Sequence, residues 1–157
     1  MKHIISALVE NKFGVLARIA GLFSARGFNI GSLAVGETED PSVSRITIVV
    51  NADDRILEQV KKQLNKLVDI ISVTDLTKKG FIDRELLLFK VDVDQSNKAK
   101  VGHFLEKNHA KILHSGARSV TVEFVGDQQH VSKLLESLKE YGINDVVRTG
   151  RIALAKE

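Results

Sequence analysis

Histidine, acidic and glycine-rich clusters are the places in this 157-residue chain where residue types and spacing suggest chemistry, and each falls short of a working constellation. The five histidines, His3, His103, His109, His114 and His130, contain no His-x-x-x-His pair, so one helical face does not offer two imidazoles to a metal. Asp92-x-Asp94 followed by Ser96 and Asn97 resembles the opening of a calcium loop but lacks the glycine and the later bidentate glutamate, which leaves helix capping as its expected role. The run Gly31-Ser-Leu-Ala-Val-Gly36-Glu37-Thr38 imitates a phosphate loop, with glutamate where lysine must meet phosphate. No Gly-x-Ser-x-Gly elbow is present, and with no cysteine the remaining nucleophiles are Ser, Thr and Lys without an evident base beside them. The chain reads as non-catalytic, with no metal and no cofactor of its own.

Charge and composition narrow the partners. Through Gly80 there are 11 basic and 9 acidic residues, leaving 12 and 11 of the total 23 and 20, so neither half carries a nucleic-acid footprint despite the net +3. Aromatic residues make up 5%, and no strand carries the paired aromatics on which an RNA-binding sheet stacks bases. The opening MKHIISALVENK has too short and interrupted an apolar run for a signal peptide, and no stretch approaches the roughly 20 apolar residues needed to span a bilayer. The expectation is a cytoplasmic chain with neither nucleic-acid nor membrane partners.

Periodicity supplies the elements that would position any site. His3 to Glu10 reads as a strand, and Val15, Leu16, Ile19, Leu22 and Phe23 then recur at helical spacing. Phe28–Gly36 and Val43–Asn51 read as a hairpin joined by Glu39-Asp40-Pro41-Ser42. Asp53 and Asp54 can cap a helix whose stripe is Ile56, Val60, Leu64 and Leu67, followed by strand Ile70–Leu76. The order is βαββαβ. After Thr77-Lys78-Lys79-Gly80 it repeats: strand Glu85–Asp94, a helix with Val101, Phe104 and Leu105 inward, strands at 111–114 and 119–125, a helix with Val131, Leu134, Leu135 and Leu138 inward, and a strand from Ile143 to Ala155 interrupted at Gly150. The fold class is α+β, two tandem ferredoxin-like units, with domains at 1–77 and 83–157 and a linker at 78–82.

One helix is bracketed unusually, in the segment VENKFGVLARIAGLFSARGFNIGSL, residues 9–33. Asn11 stands where a helix is capped, and Gly14 leaves the backbone N–H groups of the first turn unscreened, a setting that attracts a carboxylate. Gly27 ends the helix and Asn29 opens a strand. On physical grounds a plain cap and turn explains these residues as well as a ligand site does.

The motif Glu10-Asn11-x-x-Gly14-x-Leu16-x-Arg18-Ile19-x-x-Leu22-Phe23-x-x-Arg26-Gly27-Phe28-Asn29-Ile30-x-Ser32-Leu33 closely resembles that of the small regulatory subunits of acetolactate synthase (acetohydroxyacid synthase). Ser44-Arg45, Gln63-Leu64-x-Lys66-Leu67-Val68, Arg84-Glu85-Leu86 with Lys90-Val91, and Arg148-Thr149-Gly150-Arg151-Ile152-Ala153-Leu154 extend the likeness along nearly the whole chain. The resemblance implies that the first unit is an ACT domain, an amino-acid-sensing module that forms a homodimer and binds valine or a related branched-chain effector at the dimer interface. It implies that both units engage and activate a large catalytic subunit holding thiamine diphosphate, magnesium and FAD. Carried over by position, it makes Asn11 and Gly14 effector contacts on one subunit, with Asn29 and Ile30 reaching the ligand from the partner; Val15, Leu16 and Ile30 would wall its branched side chain. Phe13 and Gly31 depart from the family pattern beside that site. The rival expectation is a free-standing ACT-type regulator of transcription or of another enzyme.

Overall fold

The computed structural model describes residues 2–156, and Cα packing divides the chain into two compact units, 1–82 with 151–157, and 83–150. In the first, strand β1 (Lys2–Glu10) leads to helix α1 (Val15–Ala25), strands β2 (Ile30–Glu37) and β3 (Val43–Asn51), helix α2 (Asp54–Leu64) and strand β4 (Ile70–Asp75). The sheet is antiparallel in the order β2-β3-β1-β4, the ferredoxin-like topology read from the sequence.

Alternation on β1 and β3 turns Ile5, Ala7, Val9, Ile46, Ile48 and Val50 to the helix side, where they form one core with α1 and α2. From α1 that core takes Val15, Ile19 and Phe23, a strict i, i+4, i+8 row. From α2 it takes Leu57, Val60 and Leu64. The expected stripe holds at Val60 and Leu64, with Ile56 and Leu67 packed half-buried against the core, and Leu57, absent from the expectation, is fully buried. Asp53 does cap α2, its side chain accepting from the Ile56 amide at 2.8 Å. Asp54 in the first turn and Lys61 and Lys62 in the last match the helix dipole.

The second unit repeats the order with β5 (Phe81–Asp92), α3 (Lys98–Lys107), β6 (Lys111–Ser115), β7 (Ser119–Gly126), α4 (Gln128–Leu138) and β8 (Ile143–Arg148) in the sheet order β6-β7-β5-β8. Leu87, Phe89, Val91, Val120, Val122 and Phe124 pack against Val101 and Leu105 of α3 and Val131, Leu134 and Leu138 of α4. Asp127 caps α4 through the His130 amide. Before α3, the Asp94 carboxylate accepts from the amides of Ser96 and Asn97 and from the Ser96 hydroxyl, while Asn97 Oδ1 accepts from the Asp94 amide. Those groups close a helix-entry turn upon themselves. Among the described residues no three His, Asp or Glu side chains converge as metal ligands.

The chain end differs from expectation. β9 (Ile152–Ala155), read as the tail of the preceding strand and assigned with it to 83–157, packs in the first unit. It pairs with β5, the Lys156 amide donates to the Gly80 carbonyl at 2.7 Å, and Ala153 joins Ile4, Val49 and Leu76 with Phe81 alongside. The reason is burial: Ile4 and Val49 lie on the sheet face opposite α1 and α2, and a small apolar strand residue covers them. The expected linker correspondingly runs into strand β5, which begins at Phe81.

Candidate functional site

The β1–α1 turn holds Asn11 and Gly14, two of the residues singled out from the sequence. Asn11 does not cap α1. Its amide nitrogen Nδ2 donates to Glu37 Oε1 at 3.0 Å and to the Pro41 carbonyl at 2.9 Å, and its backbone N–H donates to the Ser42 carbonyl at 2.7 Å. Two oxygen acceptors around one terminal atom identify that atom as the nitrogen. Asn11 thus ties the turn to the β2–β3 hairpin, and its Oδ1 has no partner among the described residues.

The N-cap position belongs to Gly14, at φ 79°, with no side-chain cap and no acidic residue in the first turn. Here glycine answers two demands. The left-handed backbone disfavours a Cβ, and a Cβ built at this point would lie 2.9 Å from Arg18 Nη1. Arg18 is drawn back over the helix start by Asp69, whose Oδ2 accepts from Nε at 2.8 Å and from Nη2 at 2.7 Å. Asp69 is buried in the α2–β4 turn, and its carbonyl accepts from the Glu10 amide. The Val15 amide makes only a long 3.4 Å bond to the Lys12 carbonyl, and the Leu16 and Ala17 amides have no partner among the described residues. Free N–H groups at a helix start, with a guanidinium above them, can receive a carboxylate.

The turn's own charges lie close by. Lys12 pairs with Glu10 at 2.8 Å, and this hydrogen bond and its charge raise the lysine pKa. In the adjoining hairpin turn, the hydroxyl and amide of Ser42 hold the Asp40 carboxyl below its ordinary range.

At its far end α1 closes with a Schellman motif. The Gly27 amide, at φ 65°, donates to the Ser24 carbonyl and the Phe28 amide to the Phe23 carbonyl, each at 3.0 Å, and the Phe28 ring meets Phe23 edge-on with centroids 6.2 Å apart. Gly27 and Phe28 are accounted for by helix termination. Asn29 is exposed, and its side chain has no partner among the described residues. Ile30 is half-buried against the core. Gly31 occupies a bulge where the β2–β3 register shifts between Ile30 and Ser32, which re-aims the strand beside Asn29.

The candidate residues fall into two groups. Asn11, Gly14 and Leu16 share one end of the unit, with Phe13 projecting fully into solvent at the tip of the turn. Val15 belongs to the core at 4% exposure. Asn29 and Ile30 lie at the start of β2, whereas Asn11 is bonded to Glu37 at its end, roughly 23 Å away at about 3.3 Å per residue. One chain therefore does not bring the two groups together. The reading from sequence missed Asp69 and the use of Glu37, because both act through contacts that no local pattern encodes; Arg18, four residues after Gly14, was the one local signal.

Comparison with known proteins follows this division. Residues 5–72 match the AHAS small subunit-like ACT domain, and residues 84–157 match the small subunit of acetolactate synthase. The chain is 44% identical over 155 residues to the acetolactate synthase small subunit ascribed to Methanothermobacter thermautotrophicus, covering 98% of this chain and 92% of that one. It is 41% identical to the acetolactate synthase small subunit of Mycolicibacterium smegmatis, covering 98% and 91%. The chain belongs to the acetolactate synthase small-subunit family. The crystal structure of a small subunit from Thermotoga maritima matches with a TM-score of 0.88 at 35% identity, over all of this chain and 98% of that one. The tandem ferredoxin-like architecture, with an ACT domain first, is thus the family's fold. The second family match runs to residue 157 and so includes β9, although that strand packs with the ACT unit.

Proposed function

We propose that this chain is the non-catalytic regulatory subunit of acetolactate synthase, raising the activity of a large thiamine-diphosphate-dependent subunit and conferring feedback inhibition by valine or another branched-chain amino acid. The observation that carries the effector reading is the β1–α1 turn: an uncapped helix start and, among the described residues, free amides, an arginine drawn over them, and an asparagine whose donors are used and whose oxygen is not. A free amino acid matches that arrangement, with its carboxylate at the helix start, its ammonium at Asn11 Oδ1 and its side chain against Leu16.

The edge strand supports a homodimer. β2 has β3 on one side only, and from Ile30 to Gly36 it carries no charged residue to discourage pairing. In a two-fold pairing of β2 with its copy, the strands run antiparallel, and the start of one lies beside the end of the other. Asn29 and Ile30 of one protomer then meet Glu37 and Asn11 of its partner, uniting the residues that a single chain holds apart. The effector sits at that seam and favours the dimer arrangement that supports the less active holoenzyme, a coupling of about 1 to 3 kcal/mol. On this reading thiamine diphosphate, magnesium and FAD belong to the large subunit.

Reconstitution tests this. Adding the chain to the large subunit is expected to raise acetolactate formation, and valine, leucine or isoleucine to lower it again. Activity indifferent to the chain would favour a free-standing ACT regulator.

A further inference from the structure

Two opposite charges flank the Asn11–Gly14 turn. Glu37 at the end of β2 accepts from Asn11 through Oε1, and among the described residues no cation pairs with its carboxylate; the nearby Lys12 is engaged by Glu10. On the other side, Arg18 gives Nε and Nη2 to Asp69, while Nη1 has no partner among the described residues and lies 2.9 Å from where a Cβ at position 14 would stand. The guanidinium is held in place by a buried carboxylate, so its free nitrogen is directed rather than swinging in solvent.

We propose that Glu37 and Arg18 are the charged poles of the effector site, Glu37 receiving the α-ammonium together with Asn11 Oδ1, and Arg18 Nη1 receiving the α-carboxylate. This rests on reading the turn as an amino-acid site. The pocket thereby selects an α-amino acid over the 2-oxo acid with the same side chain, which lacks the cation, and over the corresponding amine, which lacks the anion. Side-chain walls alone do not distinguish these three. Glycine at 14, at φ 79°, leaves Arg18 Nη1 its place over the helix start, 2.9 Å from where a Cβ would stand.

The test is calorimetric titration of the full-length chain with L-valine, 3-methyl-2-oxobutanoate and 2-methylpropylamine. Wild type is expected to bind valine at least about tenfold more tightly than either analogue. Glu37→Gln keeps an oxygen for Asn11 Nδ2 but removes the charge; it should weaken valine about tenfold and leave the oxo acid unchanged, so that discrimination collapses. Arg18→Lys, which reaches Asp69 or the helix start but not both, should weaken valine and leave the amine unchanged. A loss of local structure would instead weaken every ligand together. Wild type that binds valine, with both variants retaining its selectivity, overturns the assignment of the poles. Wild type that binds no branched-chain amino acid overturns the effector reading beneath it.

Discussion

Gly14→Asp separates occupation of the site from damage to the fold. The native φ of 79° costs a non-glycine residue about 1 kcal/mol, and aspartate is among the residues that tolerate it best. An acidic side chain at the start of α1, beside Arg18, recovers about 0.5 kcal/mol through the helix dipole. The net cost of roughly 0.5 to 1 kcal/mol is small against a domain stability of about 5 to 15 kcal/mol and corresponds to a melting shift of about 4 °C or less. Binding is affected far more. The new carboxylate takes Arg18 Nη1 and the free amides, and the effector carboxylate loses at least one charge-assisted bond and gains a like charge. A loss of about 3 kcal/mol follows, or roughly 150-fold in the inhibition constant. Gly14→Ala carries the strain and displaces Arg18 but adds no charge, so about tenfold is expected. Scanning calorimetry of each variant, with valine titration of the reconstituted enzyme, reads both quantities. Aspartate at position 14 with inhibition within threefold of wild type would refute the carboxylate placement, and a melting shift above 10 °C would reassign the effect to folding.

Three further outcomes follow from the same geometry. Asp69→Ala removes the buried partner of a half-exposed arginine; urea unfolding should show a loss of about 2 kcal/mol, discounted from a fully buried pair because Arg18 meets solvent. Ala153→Asp buries a charge against Ile4, Val49 and Leu76, so a loss of about 2 to 4 kcal/mol is expected, with hydrogen exchange rising in β1 and β4 rather than in β7. Asp40 has a folded pKa below its unfolded value, so its contribution is present above about pH 4 and is lost as pH falls through the folded value. NMR should show its carboxyl titrating below the ordinary aspartate range, exchange at Ser42 accelerating in acid, and Asp40→Asn removing that acceleration.

Much of the scaffold was legible because its signals are local. Asp53 three residues before Ile56, the row Val15–Ile19–Phe23, and Gly27 followed by Phe28 are each decided within about one helical turn, and hydrophobic period ordered the strands. The misreadings share a cause. Asn11 has the look of a helix cap, but its partners lie 26 and 30 residues away, in a hairpin whose position only the assembled sheet determines. β9 carries the alternation of an ordinary strand, and nothing local states which sheet it covers.

In the proposed dimer one effector site is assembled from the β1–α1 turn of one protomer and the start of β2 of its partner. Asn11→Ala and Asn29→Ala chains can be mixed, exchanged to random dimers and titrated with valine by calorimetry. Each variant alone should bind about ten- to 150-fold more weakly than wild type. A mixed dimer contains one site with both defects and one with neither, so random mixing should restore wild-type affinity to about a quarter of all sites. A mixture that recovers no tight site would contradict the shared pocket.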